Sequence, residues 1–348
     1  MKRTKEPGVA VDGAGKPGRR PRPTFAALDL GTNNCRLLIA EPAGASFRVI
    51  DGYSQIVRLG EGLTATGRLS EAAMARTLKA LAVCAGKIAH HRPAAVACIA
   101  TQACRVAENG AAFLARAAAE VGLSFDLATP QDEARLAVLG CAALLDPAAE
   151  IALVVDIGGG STELSWVDVA GTRAALRNGR VTPRMFDWAS TPIGVVTLAE
   201  SHPEQPPADE WYDAMVSAFK VRIAGAGPDF SAAFAAGRAH IVGTSGAITS
   251  LAGVHLDLPR YQRSRVDGLW MTRDEVARAS RALRDMSLAE RAAHPCIGPD
   301  RADLVVPGCA ILEAVCDLWP VTRLRVADRG LREGMLMTLM AKHGAGVA

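Results

Sequence analysis

The chain has 348 residues, a formal net charge of +3 and 49% hydrophobic residues, which is enough for two hydrophobic cores. No apolar run approaches the ~20 residues that a membrane-spanning helix needs, which argues against a membrane protein. The eight cysteines form no CxxC pair and lie in apolar segments, which favours buried thiols in a reducing cytoplasm over disulfides or zinc ligands.

The first 22 residues differ from the rest of the chain because they carry a net charge of +5 and almost nothing apolar. Such a segment buries too little surface to order itself, so residues 1–22 are predicted to form a disordered basic tail. We expect the tail to attract polyanions weakly, with no sequence-specific binding of nucleic acid. A strand pattern follows Arg19 and Arg20 in place of an uninterrupted apolar core, which argues against a twin-arginine export signal.

Two segments of the chain repeat one pattern. FAALDLGTNNCRLLIA at 25–40 and LVVDIGGGSTELSWVDV at 153–169 each run an apolar strand into Asp, an apolar residue and Gly, then a small polar turn and a second apolar strand. The pattern predicts two β-hairpins, with Asp29 and Asp156 at the mouths of loops rich in free backbone amides. One such turn would indicate only a hairpin, but the matched pair favours two phosphate-binding loops facing one cleft.

Each loop offers backbone amides and short polar side chains to phosphate oxygens. The candidates are Gly31, Thr32 and Asn33 in the first loop and Gly158, Gly159, Gly160, Ser161 and Thr162 in the second. A third strand, turn and helix start at 240–253 adds Gly243, Ser245 and Gly246, where a helix N-terminus favours negative charge. A carboxylate beside phosphate oxygens makes sense mainly where Mg²⁺ lies between them, which predicts a metal at Asp29 and Asp156.

The remaining elements alternate strands and helices, as expected for an α/β protein. The first hairpin is followed by a predicted strand and its exit within 47–60, a helix capped by Ser70 and a buried strand at 94–101. Alanine-rich sequence predicts one helix from about Ala103 to Val121, and a further helix is predicted from about Asp132 to Leu145. The proline-rich segment at 201–210 predicts a loop before another helix.

Eight strings occur in order along the chain: DLGTNNCR, ATQACRVAENG, QDEARLAVLG, VVDIGGGSTE, TPIGVVTL, VGTSGAIT, RADLVVPGCAIL and DRGLREGML. Together they resemble the motif series of the exopolyphosphatase and guanosine pentaphosphate phosphatase (Ppx/GppA) family, within the actin-like, Hsp70-like and sugar-kinase-like ATPase superfamily. The resemblance implies an α/β fold of two ribonuclease H-like (actin-like) domains facing one cleft, in a short two-domain form. It places domain I at 23–133 and domain II at 134–332, with a C-terminal helix at 333–348 packing back on domain I.

The resemblance also implies roles for charged residues. The catalytic glutamate of the family maps to Glu133 in QDEAR, where it is expected to activate water, and a second family carboxylate maps to Glu163, where it is expected to orient water or metal. Arg36 and Arg105 are expected to bind phosphate, although Arg105 could instead hold Glu133 or a neighbouring carboxylate in place. The expected cofactor is Mg²⁺ or another divalent cation, held by Asp29, Asp156 and Glu163.

The expected activity is the release of terminal orthophosphate from inorganic polyphosphate, from guanosine pentaphosphate or from both, in the cytoplasm. A noncatalytic regulator that binds the alarmone or polyphosphate would keep both loops, yet the presence of Glu133 and Glu163 favours an enzyme. A sugar or acetate kinase would share the loops, but the EAR and GGGSTE strings argue against it. The sequence leaves open whether the protein forms a homodimer.

Overall fold

The computed structural model describes residues 22–44 and 46–345, which form two β-sheets flanked by helices. All of the predicted basic tail except Arg22 lies outside these residues. In the described part of the chain, every helix is too short or too polar to cross a lipid bilayer.

The first sheet and its helices cover roughly the first third of the chain. The elements are β1 (Phe25–Leu30), β2 (Asn34–Ala43), β3 (Ser46–Ile56), α1 (Leu63–Thr66), α2 (Glu71–His91), β4 (Ala95–Ala100), α3 (Gln102–Val106), α4 (Gly110–Val121) and β5 (Asp126–Leu127). The strand order is β3-β2-β1-β4-β5, with β1 antiparallel to β2 and parallel to β4.

Helix α5 (Pro130–Cys141) and a 3₁₀ turn (Ala142–Leu144) lead into the second sheet. Its elements are β6 (Ile151–Ile157), β7 (Thr162–Asp168), α6 (Val169–Arg177), β8 (Met185–Thr191), α7 (Val195–Ser201), α8 (Ala208–Ile223), α9 (Ser231–Ala235), β9 (Ala239–Thr244), α10 (Gly246–His255), α11 (Arg263–Val266), β10 (Trp270–Thr272), α12 (Arg273–Asp285), α13 (Leu288–Ala293), α14 (Val305–Leu318) and β11 (Arg323–Ala327), followed by α15 (Leu331–Lys342). The strand order is β10-β11-β9-β6-β7-β8. The β6–β7 hairpin thus repeats the β1–β2 hairpin.

Most predicted elements are confirmed. Ser70 caps α2, its Oγ accepting from the amide of Ala73, and α5 begins two residues earlier than predicted because Thr129 and Asp132 form a reciprocal capping box. The prediction of one helix from about Ala103 to Val121 is wrong, since α3 and α4 are separate. The side chain of Asn109 bonds to both the N–H and the C=O of Leu69, which holds the chain out of helical conformation between them.

Apolar side chains cover both faces of the first sheet. One face packs Leu28 and Leu37 against Leu81 of α2 and Phe113 of α4. The other face packs against α15, which contacts β1, β2 and β4 although it follows the second sheet in sequence. Helix α15 therefore returns the end of the chain to the first domain.

Helices α5 and α15 pack closely against each other and connect the two sheets. A Cβ on Gly334 of α15 would overlap the carbonyl group of Leu136, and one on Gly140 of α5 would overlap the carbonyl group of Gly330. Glycine is required at these positions because each backbone occupies the space of a side chain. Since α5 also contacts β6, β7 and β8, this helix pair fixes how the sheets meet.

The crossing predicts opposite effects for two Gly→Ala substitutions in helices. Gly334→Ala should lower the free energy of unfolding by about 1–3 kcal/mol because the added methyl group overpacks the helix crossing. Gly86→Ala in α2 is the control, since a Cβ there has no neighbour within 4 Å, and it should raise that free energy by about 0.5–1 kcal/mol through better helix propensity. Thermal or urea unfolding measures both, and equal effects would contradict the proposed crossing.

Candidate active site

A cleft of about 680 Å³ opens where the two sheets face each other. Its lining includes the residues just beyond β1, β6, β9 and β11, so the carboxyl ends of these strands form its floor. Binding sites in α/β proteins form at such edges, because loops leave the sheet there with backbone groups unpaired.

The two predicted loops have the same backbone geometry. The amide of Gly31 donates to the carbonyl of Asn34 in the first loop, and the amide of Gly158 donates to the carbonyl of Ser161 in the second, both at 2.8 Å. Each glycine lies two residues after its aspartate, Asp29 or Asp156. The sequence repeat is therefore also a repeat of local structure.

The loops also contact each other across the cleft. A Cβ on Gly160 of the second loop would lie 2.8 Å from Oγ1 of Thr32 in the first loop and 2.5 Å from Oε1 of Gln102. Real Cβ atoms do not approach other atoms this closely, so glycine lets the second loop lie against the first. Both loops can then face one ligand.

The duplicated hairpins differ in one cross-strand partner. Asp29 of β1 lies opposite Arg36 of β2, and Asp156 of β6 lies opposite Glu163 of β7 at the equivalent position. Directly opposite residues in an antiparallel pair share one face of the sheet. The first hairpin therefore pairs an acid with a base, whereas the second pairs two acids.

Burial keeps these carboxyl groups from ionising easily. It raises the pKa of Asp156 to about 7, with a further increase from the charge of Asp29. Burial also raises the pKa of Asp29, an effect that Arg36 partly opposes. The pKa of Glu163 lies well above its usual value because the group is buried and close to other acids, although Ser190 donates to its Oε1 at 2.8 Å. The acids form a wall that a cation would stabilise.

Glu133 lies at the start of α5, only 7% exposed, and also lines the cleft. Burial raises its pKa to about 7, against the opposing effect of Arg105, and Asp29 and Asp156 raise it further. Nη1 of Arg105 donates to Oε1 of Glu133 at 2.6 Å and to the carbonyl of Ala128 at 2.5 Å. Of the two roles left open for Arg105, the structure thus shows contact with the carboxylate.

Arginines gather elsewhere in the same cleft. A Cβ on Gly246, at the start of α10, would lie 3.8 Å from both Nη2 of Arg36 and Nε of Arg301. Burial together with Arg332 and Arg301 lowers the pKa of Arg36. Within the described ranges, none of these three guanidinium groups forms an ion pair. Unpaired arginines beside a helix N-terminus form a site suited to an anion.

Most predicted site residues lie in this cleft. Those that line it are Asp29, Gly31, Thr32, Asn33, Arg36, Glu133, Asp156, Gly158, Gly159, Gly160, Ser161, Glu163, Ser245 and Gly246.

Three predicted phosphate-binding residues lie outside the lining. Arg105 is behind Glu133, as described. The hydroxyl of Thr162 donates to the carbonyl of Ile193 at 2.7 Å, so it is used in positioning the loop. Gly243 lies within β9, where a Cβ would meet Cδ1 of Ile248 at 2.7 Å. The contacts of Thr162 and Gly243 therefore position the backbone and do not bring these residues to the cleft.

Sequence reasoning missed Arg301 and Arg332 as cleft residues. Both lie in strings that carried the family resemblance, RADLVV and DRGLREG, but nothing in either string shows where its arginine points. Asn34 also lines the cleft and was not singled out. The signal for all three was their place inside a family motif, since isolated arginines and asparagines are usually surface residues.

The predicted metal ligands form no ready-made cage. Among the described residues, no group of three or more His, Cys, Asp or Glu side chains is arranged to hold a metal ion. Oδ1 of Asp29 is nevertheless buried without a hydrogen-bond partner in that part of the chain. Mg²⁺ usually takes one or two carboxylates and completes its shell with waters and substrate phosphates. Asp29 with Asp156 fits that donor set.

Comparison with known proteins identifies the family of the chain. The family model described as the Ppx/GppA phosphatase family matches residues 38–343 of the chain. The chain belongs to this family. Family membership supports phosphohydrolase activity.

Ppx/GppA relatives match the chain over nearly their full length. "Exopolyphosphatase 2" of Mycobacterium tuberculosis is 28% identical over 329 residues, covering 90% of this chain and 98% of that protein. A solved Ppx/GppA family member from Aquifex aeolicus is 28% identical with a TM-score of 0.74, covering 93% of this chain and 99% of that one. An exopolyphosphatase structure from Cytophaga hutchinsonii, 22% identical with a TM-score of 0.79, supports the fold alone. The predicted fold class is confirmed.

The contact between Arg105 and Glu133 predicts a shift in the pH dependence of Ppx/GppA-type activity. Because Arg105 favours the ionised carboxylate, Arg105→Gln should raise the pKa of Glu133 above its present value of about 7. Glu133 is the expected general base, and a general base acts only when ionised, so the acidic limb of the pH profile of kcat/KM should move to higher pH. Arg116→Gln, which breaks exposed ion pairs with Glu71 and Glu120, should leave the limb in place. If the acidic limb stayed in place in Arg105→Gln, the role of Glu133 as general base would be contradicted.

Proposed function

We propose that the protein releases terminal orthophosphate from inorganic polyphosphate, from guanosine pentaphosphate or from both, in a reaction assisted by Mg²⁺ or another divalent cation. The observation that carries the proposal is the presence of buried carboxylates and unpaired arginines in one cleft between two glycine-rich loops. A phosphoanhydride with its metal ion matches both: its oxygens suit the arginines and amides, and its metal suits the acids.

The chain's own groups would hold the terminal phosphate from several sides. Residues of the first and second loops line the cleft, and Thr32 adds a hydroxyl group to the first loop. Arg36 and Arg301 approach the N-terminus of α10, where guanidinium donors meet free helix amides. Charge that develops on the nonbridging and leaving oxygens would be stabilised by these preorganised donors.

Glu133 is the group best placed to take a proton from water. Arg105 fixes its Oε1, which leaves Oε2 for a water molecule. The ionised carboxylate would accept one proton as the water oxygen attacks the terminal phosphorus, and the bond from that phosphorus to the bridging oxygen would break. A pKa of about 7 suits this role because the base is then partly ionised yet basic enough at neutral pH.

The metal would lie on the acidic wall. Asp29 and Asp156 would hold it directly, and Glu163 would hold it or one of its waters. A divalent cation bound there would neutralise phosphate oxygens and hold them in line with the attacking water. It would also lower the pKa of the buried acids, which burial raises most and the neighbouring acids raise further.

The names of the relatives favour polyphosphate as a substrate. "Exopolyphosphatase 2" is the curated relative described above, and a linear polyanion suits an open cleft with several arginines. Guanosine pentaphosphate stays in the proposal because it carries the same terminal phosphoanhydride.

The deciding experiment measures orthophosphate release by purified protein from polyphosphate, guanosine pentaphosphate and ATP, each with Mg²⁺. The proposal expects release from at least one of the first two, and little from ATP. Release that requires a sugar or acetate acceptor would indicate a kinase. Tight binding of polyphosphate or guanosine pentaphosphate with no release would indicate a noncatalytic regulator.

Loss of the proposed base should affect turnover more than binding. Glu133→Gln keeps the shape of the side chain and should lower kcat by at least ~10²-fold, the lower range for loss of a general base, with KM little changed. Steady-state kinetics on polyphosphate measure both constants. Glu150→Gln, which disturbs only an exposed pair with Arg238, is the control. Near-normal turnover in Glu133→Gln would disprove the role.

Loss of a proposed metal ligand should change the metal requirement. Asp29→Asn and Asp156→Asn should each raise the Mg²⁺ concentration at half-maximal activity, because a hard, charged oxygen ligand becomes a neutral amide. Asp274→Asn, at an exposed position on α12, should leave the titration unchanged. Mg²⁺ titrations of phosphate release compare the variants, and identical curves for all of them would show that the two carboxylates serve loop geometry alone.

A further inference from the structure

The segment 57–62 after β3 is attached to the first phosphate loop. The amides of Val57 and Arg58 both donate to the carbonyl of Asn33, at 2.8 and 3.0 Å, and the amide of Gly60 donates to the carbonyl of Thr32 at 2.8 Å. Three backbone hydrogen bonds therefore attach this segment to the loop that faces the cleft. A displacement of the segment would displace the loop as well.

The same segment reaches across to the second domain. Nη1 and Nη2 of Arg58 donate to Oδ2 and Oδ1 of Asp303 at 2.8 and 2.9 Å, and Nη2 also donates to the carbonyl of Asp300 at 3.2 Å. Four residues further on, the amide of Gly62 donates to Oε1 of Glu200 in α7 at 2.8 Å. The two domains are thus joined here at a site remote in sequence from α5 and α15.

The turn that Arg58 binds carries a cleft arginine. Arg301 lies between Asp300 and Asp303 in the chain. Its side chain lies in the cleft beside Gly246, close to the side chain of Arg36. The guanidinium group of Arg58 binds both Asp300 and Asp303, which flank Arg301 in the chain, and so limits how this turn can move. The contact fixes where Arg301 enters the cleft.

Backbone conformation supports a dedicated role for Arg58. Its φ of 46° lies in the left-handed region that residues other than glycine seldom adopt. The bonds of its backbone to Asn33 and of its side chain to Asp303 are made in that conformation. Glycine would adopt this φ angle with less strain than arginine. An arginine at this position is expected if its side chain has a function.

We propose that Arg58 is a positioning residue that couples closure of the domains to anion binding, by placing Arg301 beside Arg36 when segment 57–62 meets the turn at 300–303. This inference rests on the proposed function, since it assigns Arg301 to the phosphate site. The side chains of Arg58 and Asp303 are 30% and 38% exposed, so the pair can separate into solvent when the cleft opens. In the open form Arg301 would be released from its place and the anion site would be incomplete.

A double-mutant comparison tests the pair through kinetics on polyphosphate. Arg58→Gln and Asp303→Asn should each raise KM at least about fivefold, because Arg301, which they position, binds the substrate phosphate in the ground state as well as in the transition state. The double variant should be no worse than either single variant, since both remove one contact. Arg58→Lys keeps the charge without the fork and should recover part of the affinity.

The control breaks a similar ion pair inside one domain. Arg68 donates to Glu108 at 2.9 Å on the surface of the first domain, so Arg68→Gln should leave KM unchanged. In an Arg301→Gln background, Arg58→Gln should raise KM no further, because its effect passes through Arg301. An unchanged KM in Arg58→Gln, or a full additional increase in the Arg301→Gln background, would overturn the proposal.

A second readout keeps this test separate from the proposed activity. Small-angle scattering of the protein with inorganic tripolyphosphate should show a smaller radius of gyration than without it. Arg58→Gln should reduce that change in radius of gyration, whereas Arg68→Gln should not. Failure to release phosphate from any substrate would disprove the function and leave this comparison intact. An equal compaction in wild type and Arg58→Gln would overturn the role of Arg58.

Discussion

Burial of ionisable side chains at the ends of two duplicated hairpins is the constraint on which the rest of this structure depends. Asp29 and Asp156 occupy the same position in each copy, but their cross-strand partners are Arg36 in one and Glu163 in the other. One copy therefore contributes a base to the cleft and the other a second acid. Burial raises the pKa of the acids and lowers that of Arg36, so ionising these groups inside the cleft costs free energy. A metal ion would stabilise the ionised acids, and a phosphate chain would stabilise the arginines. The same groups therefore lower the stability of the fold and favour ligand binding.

The fold holds this charge arrangement through close backbone contacts. Gly160 lets the second loop lie against Thr32 of the first, and Gly334 lets α15 lie against α5. Apolar layers on both sides of each sheet stabilise the strands that end at the cleft. The domains can then differ in separation without disturbing either core, and the contact of Arg58 with Asp303 is a partly exposed link between them.

Sequence reasoning predicted what depends on local pattern. The repeat gave both hairpins and the position of each aspartate, because strand alternation, glycine and a following polar turn are local features. The break between α3 and α4 was not predictable, since it depends on Asn109 bonding to Leu69, 40 residues away. For the same reason the partner of Arg105 stayed open until the structure showed Glu133 beside it. Arg301 was missed because its approach to Arg36 depends on how two domains meet.

The central claim is that one cleft binds a cation and a phosphate chain as a unit, and linkage between them is its most direct test. In the Glu133→Gln variant, which should bind without turnover, calorimetric titration with inorganic tripolyphosphate can be made at several concentrations of free Mg²⁺. We predict that Mg²⁺ raises the affinity for tripolyphosphate at least about tenfold, within the range of a 1–3 kcal/mol coupling, after correction for the complex formed in solution. Equal affinity with and without Mg²⁺ would contradict it.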